Sequence, residues 1–272
     1  MNSRRPSFRV IRPPSYPRLT WLFDLADVPV AYCGKDVETF EDGLVEGCWD
    51  GAFSTLDFAG RINFFGTGVV RRDGKWLFCP PGHTLEALYV LARGEHVAVS
   101  NSMVPLFAHA GLRPDPRVNY TRALATFTAG IDDAESLIWR DPAQDVSLFR
   151  VLVDNFVVES GQLRRQRKVE PASFPAFEGY RRHMVQTIGA LAANAADPAR
   201  RRRTYSLLRS TCSSGYDSTT VTALAAAAVG PAGVVALSLR SARGGADDSG
   251  RPIADALRVA CIERDREHAA RE

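Results

Sequence analysis

Short apolar runs separated by turn residues fill positions 19–112 of the chain. Two of these runs, 62–70 and 76–79, flank the sequence Arg72-Asp73-Gly74, which is typical of the tight turn in a β-hairpin. The other elements predicted here are a short helix over 84–92, a strand over 96–100 and a helix over 103–110. This mixture predicts an α+β region.

The middle of the chain is less regular, although residues 148–158 are mostly apolar and predict a strand. Pro171 and Pro175 bracket a short linker, where we place a domain boundary. Residues 1–18 are rich in Pro, Arg and Ser, so we expect a disordered or draped arm. The N-terminal domain is therefore predicted to span 19–170.

A long amphipathic helix over 175–196 opens the C-terminal domain, which we place at 175–272. Its apolar residues recur at helical spacing, namely Phe177, Tyr180, Met184, Ile188 and Leu191. The arginine run at 200–203 follows this helix. We interpret that run either as a solvated connector, which we favour, or as a patch that binds an anion or nucleic acid.

A βαβ pattern comes next in the sequence. Its parts are a strand over 204–211, a polar turn over 213–218, a helix over 219–229 and a second strand over 233–239. Gly230-Pro231 ends the helix, and the unit has the ~30 residues typical of parallel strands joined by a right-handed crossover. A helix after Pro252 and a strand over 260–263 extend it, so this domain is predicted as a parallel α/β sheet.

The composition of the chain excludes several classes of protein. The 272 residues are 45% apolar and 24% charged, which excludes low-complexity disorder and collagen-like repeats. No stretch approaches the ~20 apolar residues of a membrane span, and no apolar segment follows the basic start as in a signal peptide. We therefore expect a cytoplasmic protein without a membrane partner. A net charge of +3 is too small to predict nucleic-acid binding.

The five cysteines are widely spaced and form no Cys-x-x-Cys pair. A disulfide framework and a structural zinc site are therefore not expected, and the pattern favours reduced thiols in or near cores.

The turn over 213–218 carries the chemistry that the sequence suggests. Helix-start N–H groups at the carboxyl end of a parallel strand favour an anion such as a phosphate. Gly215 lets the backbone approach that anion, and the serines at 213, 214 and 218 add hydroxyl donors. Asp217 would repel a phosphate unless Mg²⁺ lies between them. The same residue types also build ordinary turns and helix caps, and that alternative stays open.

A second acidic position, Asp247-Asp248, follows the second strand of this unit. These carboxylates are interpreted either as an ordinary polar loop, which we favour, or as ligands of Mg²⁺.

Residues 207–218 resemble the PP-loop of the N-type ATP pyrophosphatases, usually Ser-Gly-Gly-x-Asp-Ser. Together with the preceding helix and the stretch 247–257, the chain resembles asparagine synthetase and its relatives over 175–265. A weaker resemblance covers 20–112, where Asp50-Gly51-Ala52-Phe53 and Val99-Ser100-Asn101 are similar to the amidotransferase-like half of those enzymes. It implies a degenerate amidotransferase-like sandwich of the Ntn type.

The resemblance implies a reaction as well as a fold. Such enzymes activate a small-molecule carboxylate with ATP, release pyrophosphate, and let ammonia or an amine attack the acyl-adenylate. Matching the motif, the positions Ser213, Ser214, Gly215, Asp217 and Ser218 would hold the pyrophosphate and its Mg²⁺, with Asp217 as the metal ligand. Cys212 and Leu239 would flank adenosine, and Tyr216 occupies the variable position. The resemblance leaves a homodimer open.

Three departures from the family pattern limit this expectation. Ser214 replaces the usual second glycine, which is compatible with the loop. Asn2 follows Met1 where the family has its nucleophilic cysteine, so glutaminase activity is not expected. The chain ends at Glu272, before the family's C-terminal half, so we expect a fragment of the ligase. The alternative is a non-catalytic remnant that acts as a scaffold or assembly module.

Overall fold

The computed structural model describes residues 7–131, 136–159, 162–168, 173–205, 207–240 and 248–265. The chain divides into two compact units, which are described separately below. Unit 1 consists of Met1–Trp49, Thr55–Pro171 and Arg200–Arg203. Unit 2 consists of Asp50–Ser54, Ala172–Ala199 and Thr204–Glu272.

The strands are β1 (Arg9–Ile11), β2 (Trp21–Asp24), β3 (Val30–Cys33), β4 (Glu38–Phe40), β5 (Gly43–Trp49), β6 (Phe64–Arg72), β7 (Lys75–Cys79), β8 (Leu88–Arg93), β9 (His96–Ser100), β10 (Leu137–Asp141), β11 (Val146–Val151), β12 (Asn155–Glu159), β13 (Gln162–Gln166), β14 (Leu208–Thr211), β15 (Val234–Arg240) and β16 (Ala260–Asp265). The helices are α1 (Met103–His109), α2 (Tyr120–Leu124), α3 (Phe177–Ala196), α4 (Tyr216–Val229) and α5 (Arg251–Ala256). Together they form a mixed α/β protein.

Unit 1 is built on two large, mainly antiparallel sheets. One has seven strands in the order β1-β3-β2-β9-β8-β11-β10, and the other has six in the order β13-β12-β7-β6-β5-β4. Side chains from both sheets, including Trp21, Phe23, Leu44, Phe78 and Phe156, share one buried cluster. A second cluster forms where α1 packs on the other face of the seven-stranded sheet. Apolar residues are therefore needed on both faces of its central strands.

The hairpin predicted around Arg72-Asp73-Gly74 is confirmed. Strands β6 and β7 pair with Arg72 opposite Lys75, and the two turn residues have positive φ angles, 49° at Asp73 and 78° at Gly74. Two central residues with positive φ are the mark of the type I′ turn, whose twist matches that of the flanking strands.

The helix predicted over 84–92 is wrong, because residues 88–93 form strand β8 between β9 and β11. Leu88 and Val90 face the cluster between the two sheets, while Leu91 faces α1. A strand that is apolar on both faces loses the simple alternation that identifies strands in a sequence.

The single strand predicted over 148–158 is also wrong. Strand β11 belongs to the seven-stranded sheet and β12 to the six-stranded sheet, so the chain crosses between sheets at 152–154. Val153 has a φ of 59° at this crossing, a left-handed conformation that interrupts the strand.

The segment expected as a disordered or draped arm contributes a strand from residue 9 onward. Strand β1 pairs in parallel with β3. The Arg12 guanidinium donates hydrogen bonds to the carbonyl oxygens of Gly34, at 2.6 Å, and Val37, at 3.0 Å. These bonds tie the segment to unit 1 despite its prolines.

The arginine run at 200–203 packs on unit 1 rather than lying wholly in solvent. The Arg200 guanidinium donates to the Gly47 carbonyl at 2.9 Å, and the backbone N–H of Arg202 donates to the Glu38 carboxylate at 2.8 Å. The solvated connector that the sequence favoured is therefore only partly solvated, because Arg200 is buried while residues 201–203 are exposed.

Unit 2 contains a three-stranded parallel sheet in the order β14-β15-β16. This confirms the predicted βαβ unit and its extension by a third strand, and α3 confirms the predicted long helix. Helix α4 begins at Tyr216, three residues earlier than predicted, with Gly215 as its N-cap. No helix in the described residues is both long and apolar enough to cross a membrane.

Among the residues that the structure describes, helices cover one face of this sheet, and the other, called the uncovered face below, is exposed. Cys212, Val234 and Ala236 pack with Ala225 of α4 and Ala254 of α5 in a small buried cluster. The opposite face carries Leu237, Leu239 and Ile262, which are exposed by 40, 42 and 45%. Both helices therefore lie on the same side of the sheet, as two successive crossovers of one hand require.

Candidate functional site

The candidate site is the turn that joins β14 to α4, at the carboxyl edge of the parallel sheet. In the sequence this turn is Cys212-Ser213-Ser214-Gly215. A second segment, 248–250, lies beside this turn, and Ser213 and Ser249 pair there as an isolated antiparallel bridge. The carboxyl edge of parallel strands is where open α/β sheets bind their ligands.

Three backbone N–H groups of the turn are used to hold the turn itself. The Ser213 N–H donates to Ser218 Oγ at 3.0 Å, and the Gly215 N–H donates to Ser213 Oγ at 3.2 Å. The Ser214 N–H donates to the Asp248 carbonyl oxygen at 3.2 Å. The N–H groups left for an anion are thus those of the first turn of α4, 216–218, since no side chain caps this helix in the described structure.

Hydroxyl groups lock the start of α4 against β14. Ser213 Oγ and Ser218 Oγ lie 2.8 Å apart, and the Thr219 hydroxyl donates to the Ser213 carbonyl at 3.1 Å. Thr222 is fully buried, and its hydroxyl lies 2.7 Å from Ser210 Oγ. A helix start fixed in this way presents its N–H groups with little loss of entropy on binding.

Two carboxylates are associated with this turn. Asp217 lies in the first turn of α4 and is exposed, while Asp248 is buried and accepts a hydrogen bond from the Ser214 hydroxyl. The sequence favoured an ordinary loop for Asp247-Asp248, whereas the structure brings Asp248 to the motif. Asp247 lies outside the described residues.

Gly250 is a site residue that the sequence reasoning missed. A Cβ atom at this position would lie 2.5 Å from the carbonyl oxygen of Cys212 and 2.7 Å from its sulfur, so only glycine fits. At Gly215 a Cβ atom would meet only Ser213 Oγ, at 3.4 Å, which is an ordinary van der Waals contact, so this position does not require glycine. The one available signal was the Ser-Gly-x-Pro sequence at 249–252, which is typical of a helix start.

Glu263 contacts two arginine side chains at this edge of the sheet. It accepts hydrogen bonds from the Ser249 hydroxyl and from Arg251 Nε, the latter at 2.5 Å, and forms an ion pair with Arg240 at 3.2 Å. Hydrogen bonds from Ser249 and Arg251, followed by that from Arg240, lower the pKa of Glu263 to about 2. Two arginines are thereby held beside the segment that supports the motif.

The residues expected to flank adenosine lie on opposite faces of the sheet. The Cys212 thiol is buried on the covered face, 3.6 Å from the Gly250 carbonyl oxygen, while Leu239 is on the uncovered face. The structure therefore does not bring these two side chains together. Tyr216, at the variable position, is 93% exposed.

The chemistry of this edge combines two kinds of group. The first-turn N–H groups favour an anion, whereas the carboxylates of Asp217 and Asp248 favour a hard cation such as Mg²⁺. A search against protein-family models and a search of curated proteins both found no match to this chain.

Proposed function

We propose that unit 2 binds ATP with Mg²⁺ at this turn and belongs to an asparagine-synthetase-like amide ligase. The observation that supports the proposal is the parallel strand–turn–helix geometry with two carboxylates, Asp217 and Asp248, at the same turn. In this proposal the PP-loop domain spans 175–272, and 19–170 is a degenerate amidotransferase-like sandwich of the Ntn type.

The proposed reaction has two steps. A carboxylate oxygen of the substrate attacks the α-phosphorus of ATP, and pyrophosphate leaves. Ammonia or an amine then attacks the acyl carbon, AMP leaves, and the amine loses a proton as the amide forms. The N–H groups of 216–218 and the hydroxyls of the turn would bind the leaving pyrophosphate.

The remaining residues take roles that follow from their positions. Asp217, and Asp248 behind Ser214, would hold the Mg²⁺ that neutralises the phosphate charge. Leu239 would pack against the nucleoside, and the contribution of Cys212 falls to its backbone because its thiol is packed on Gly250. Binding and orientation of ATP are thus assigned to unit 2, while the carboxylate and the amine stay unassigned.

Calorimetric titration with ATP, with and without Mg²⁺, tests the metal assignment. The wild-type chain should bind ATP more tightly with Mg²⁺, and Asp217→Ala should abolish that difference. Asp255→Ala is the matched control, because it removes the same charge from an exposed position on α5. Equal Mg²⁺ dependence in both variants would contradict the assignment.

Release of pyrophosphate from ATP, followed with aspartate and ammonia as the simplest substrate pair, tests the ligase reaction. The proposal predicts release that requires both Mg²⁺ and an intact turn. Hydrolysis of ATP to ADP and phosphate instead would assign the turn to another class of ATP-dependent enzyme.

An assembly module is the second candidate function, and the uncovered sheet face favours it. Parallel sheets are usually covered on both faces, yet Leu237, Leu239 and Ile262 are exposed. If a second copy covers this face, sedimentation velocity will show concentration-dependent association that Leu237→Asp removes. Val221→Asp, on the exposed side of α4, should leave it intact. A monomer at all concentrations would exclude this candidate.

A further inference from the structure

Three side chains of unit 1 converge on one point that the proposed function does not use. Asp24 ends β2, His96 begins β9 and His109 ends α1. One ligand atom from each lies within 4.8 Å of the others. His96 Nε2 is 2.8 Å from Asp24 Oδ1, and His109 Nε2 is 3.0 Å from Asp24 Oδ2.

The fold dictates this convergence. Strands β2 and β9 are antiparallel neighbours in which Asp24 lies opposite Ala98. His96 precedes Ala98 by two residues and so projects from the same face of the sheet as Asp24. Helix α1 packs on that face through Leu106, which brings His109 over the strand ends.

The aspartate is poorly satisfied by its protein neighbours. Its Oδ1 atom is buried, and the nearby His96 nitrogen is not in hydrogen-bonding geometry. In the part of the chain that the structure describes, no group donates a hydrogen bond to this oxygen. A buried carboxylate oxygen without a donor is costly, and a cation bound between the three side chains would satisfy it.

The ligand types select the class of cation. Two imidazole nitrogens with one carboxylate oxygen suit zinc and related divalent transition metals, whereas Mg²⁺ and Ca²⁺ prefer all-oxygen sites. Ligands at the usual zinc distances of about 2.0–2.1 Å lie about 3.3 Å apart in a tetrahedron. The His96 and His109 nitrogens lie 2.8 and 3.0 Å from the two oxygens of Asp24, close to that separation, and all three ligand atoms lie within 4.8 Å of one another.

The site has room for a ligand from outside the protein. A cavity of about 330 Å³ is lined by both histidines together with Leu91, Arg93 and Leu106. Metal sites that bind water or a substrate typically have three protein ligands and a fourth coordination position that opens to a cavity.

We propose that Asp24, His96 and His109 bind a Zn²⁺-class transition-metal ion with one coordination position open to this cavity. Nothing in this proposal depends on nucleotide binding by unit 2.

Calorimetric titration of the chelator-treated full chain with Zn²⁺ tests the proposal. The wild-type chain should bind one equivalent. His96→Ala and His109→Ala should each weaken binding by more than about tenfold, since loss of groups that merely support a zinc ligand already costs about 10–100-fold. His83→Ala is the matched control, because His83 lies in a turn of the same unit, where its Nδ1 accepts from the Leu85 N–H.

Co²⁺ provides a second readout that does not depend on affinity alone. Its visible absorption should show a four- or five-coordinate site in the wild type and in His83→Ala, and should be lost in His96→Ala. His96 is the safest position for this variant because its side chain is 46% exposed, so its removal should not unfold the chain. Absence of Zn²⁺ binding by the wild type, or equal binding by His96→Ala, would overturn the proposal and leave a contact between Asp24 and the two imidazole rings.

Discussion

Glu46 is an acid buried in unit 1, where it faces a cavity of about 260 Å³ together with Thr67 and Asn101. Burial raises the pKa of Glu46 to about 7, although a hydrogen bond of 2.7 Å from the Thr67 hydroxyl opposes the shift. Trp21 Nε1 donates to the same hydroxyl at 2.8 Å and orients it toward Glu46. The carboxyl group is thus tuned by its surroundings to titrate near neutral pH.

We expect a pH-dependent loss of stability from this residue. The folded-state pKa is above the unfolded value of 4.5, so the folded chain binds the extra proton and stability falls as the pH rises from 4.5 to 7. A shift of this size corresponds to roughly 3 kcal/mol in the free energy of unfolding. Glu46→Gln keeps the acceptor for Thr67 and should remove this dependence.

Urea unfolding of both proteins across this pH range measures the difference. Glu95→Gln, in the exposed turn between β8 and β9, is the control and should follow the wild type. An unchanged pH profile in Glu46→Gln would show that Glu46 does not carry the effect.

At the scale of elements, the turn after β14 depends on the turn before α5. Gly250 packs against the carbonyl group and sulfur of Cys212, and its N–H donates to the buried Ser238 hydroxyl at 2.8 Å. The two turns therefore form one structural piece, although 38 residues separate Cys212 from Gly250 in the sequence.

A pair of glycine substitutions tests this coupling. Gly250→Ala should destabilise the chain by about 1–3 kcal/mol, as overpacking does in well-packed cores. Gly215→Ala should cost about 1 kcal/mol or less, because alanine is a poorer N-cap than glycine, while its Cβ makes only an ordinary contact and its φ of −77° suits alanine. The measurement is the free energy of unfolding of both variants in urea. Equal effects would mean that the packing at Gly250 is not tight in solution.

Local patterns explain which elements the sequence could predict. The βαβ unit was predictable because its strand, turn, helix and Gly230-Pro231 stop are contiguous in the sequence. Strand β8 was not, because apolar residues on both of its faces imitate a helix. The site divides in the same way, since 213–218 is a continuous motif, whereas Asp248 and Gly250 reach it only through the pairing of β14, β15 and β16.

At the scale of the whole molecule, the two units carry different chemistry. Unit 1 holds the buried Glu46 and the cluster of Asp24, His96 and His109, while unit 2 holds the turn assigned to ATP. If these assignments are independent, His96→Ala should lose Zn²⁺ binding and keep its Mg²⁺-dependent binding of ATP. Asp217→Ala should keep Zn²⁺ binding and lose the Mg²⁺ dependence of its ATP binding. Calorimetry with both ligands on both variants measures this. Loss of both responses in one variant would indicate unfolding rather than loss of a site.

Titration of the chain with ATP and Mg²⁺, before and after Gly215→Val, tests the central claim most directly. In the free protein a Cβ atom at Gly215 would make only an ordinary contact, 3.4 Å from Ser213 Oγ, and we expect the larger valine side chain to collide with the proposed phosphate. We predict that the wild type binds ATP with a dissociation constant of about 0.1–1 mM, which corresponds to a binding free energy of about 4–5.5 kcal/mol in favour of the complex. Gly215→Val should weaken this binding tenfold or more. Gly179→Val, on α3, is the control, because a Cβ atom at Gly179 would meet only a ring atom of Phe174, at 3.8 Å. This variant should bind ATP as tightly as the wild type does. No heat from the wild type at millimolar ATP, or equal binding by Gly215→Val, would contradict the account.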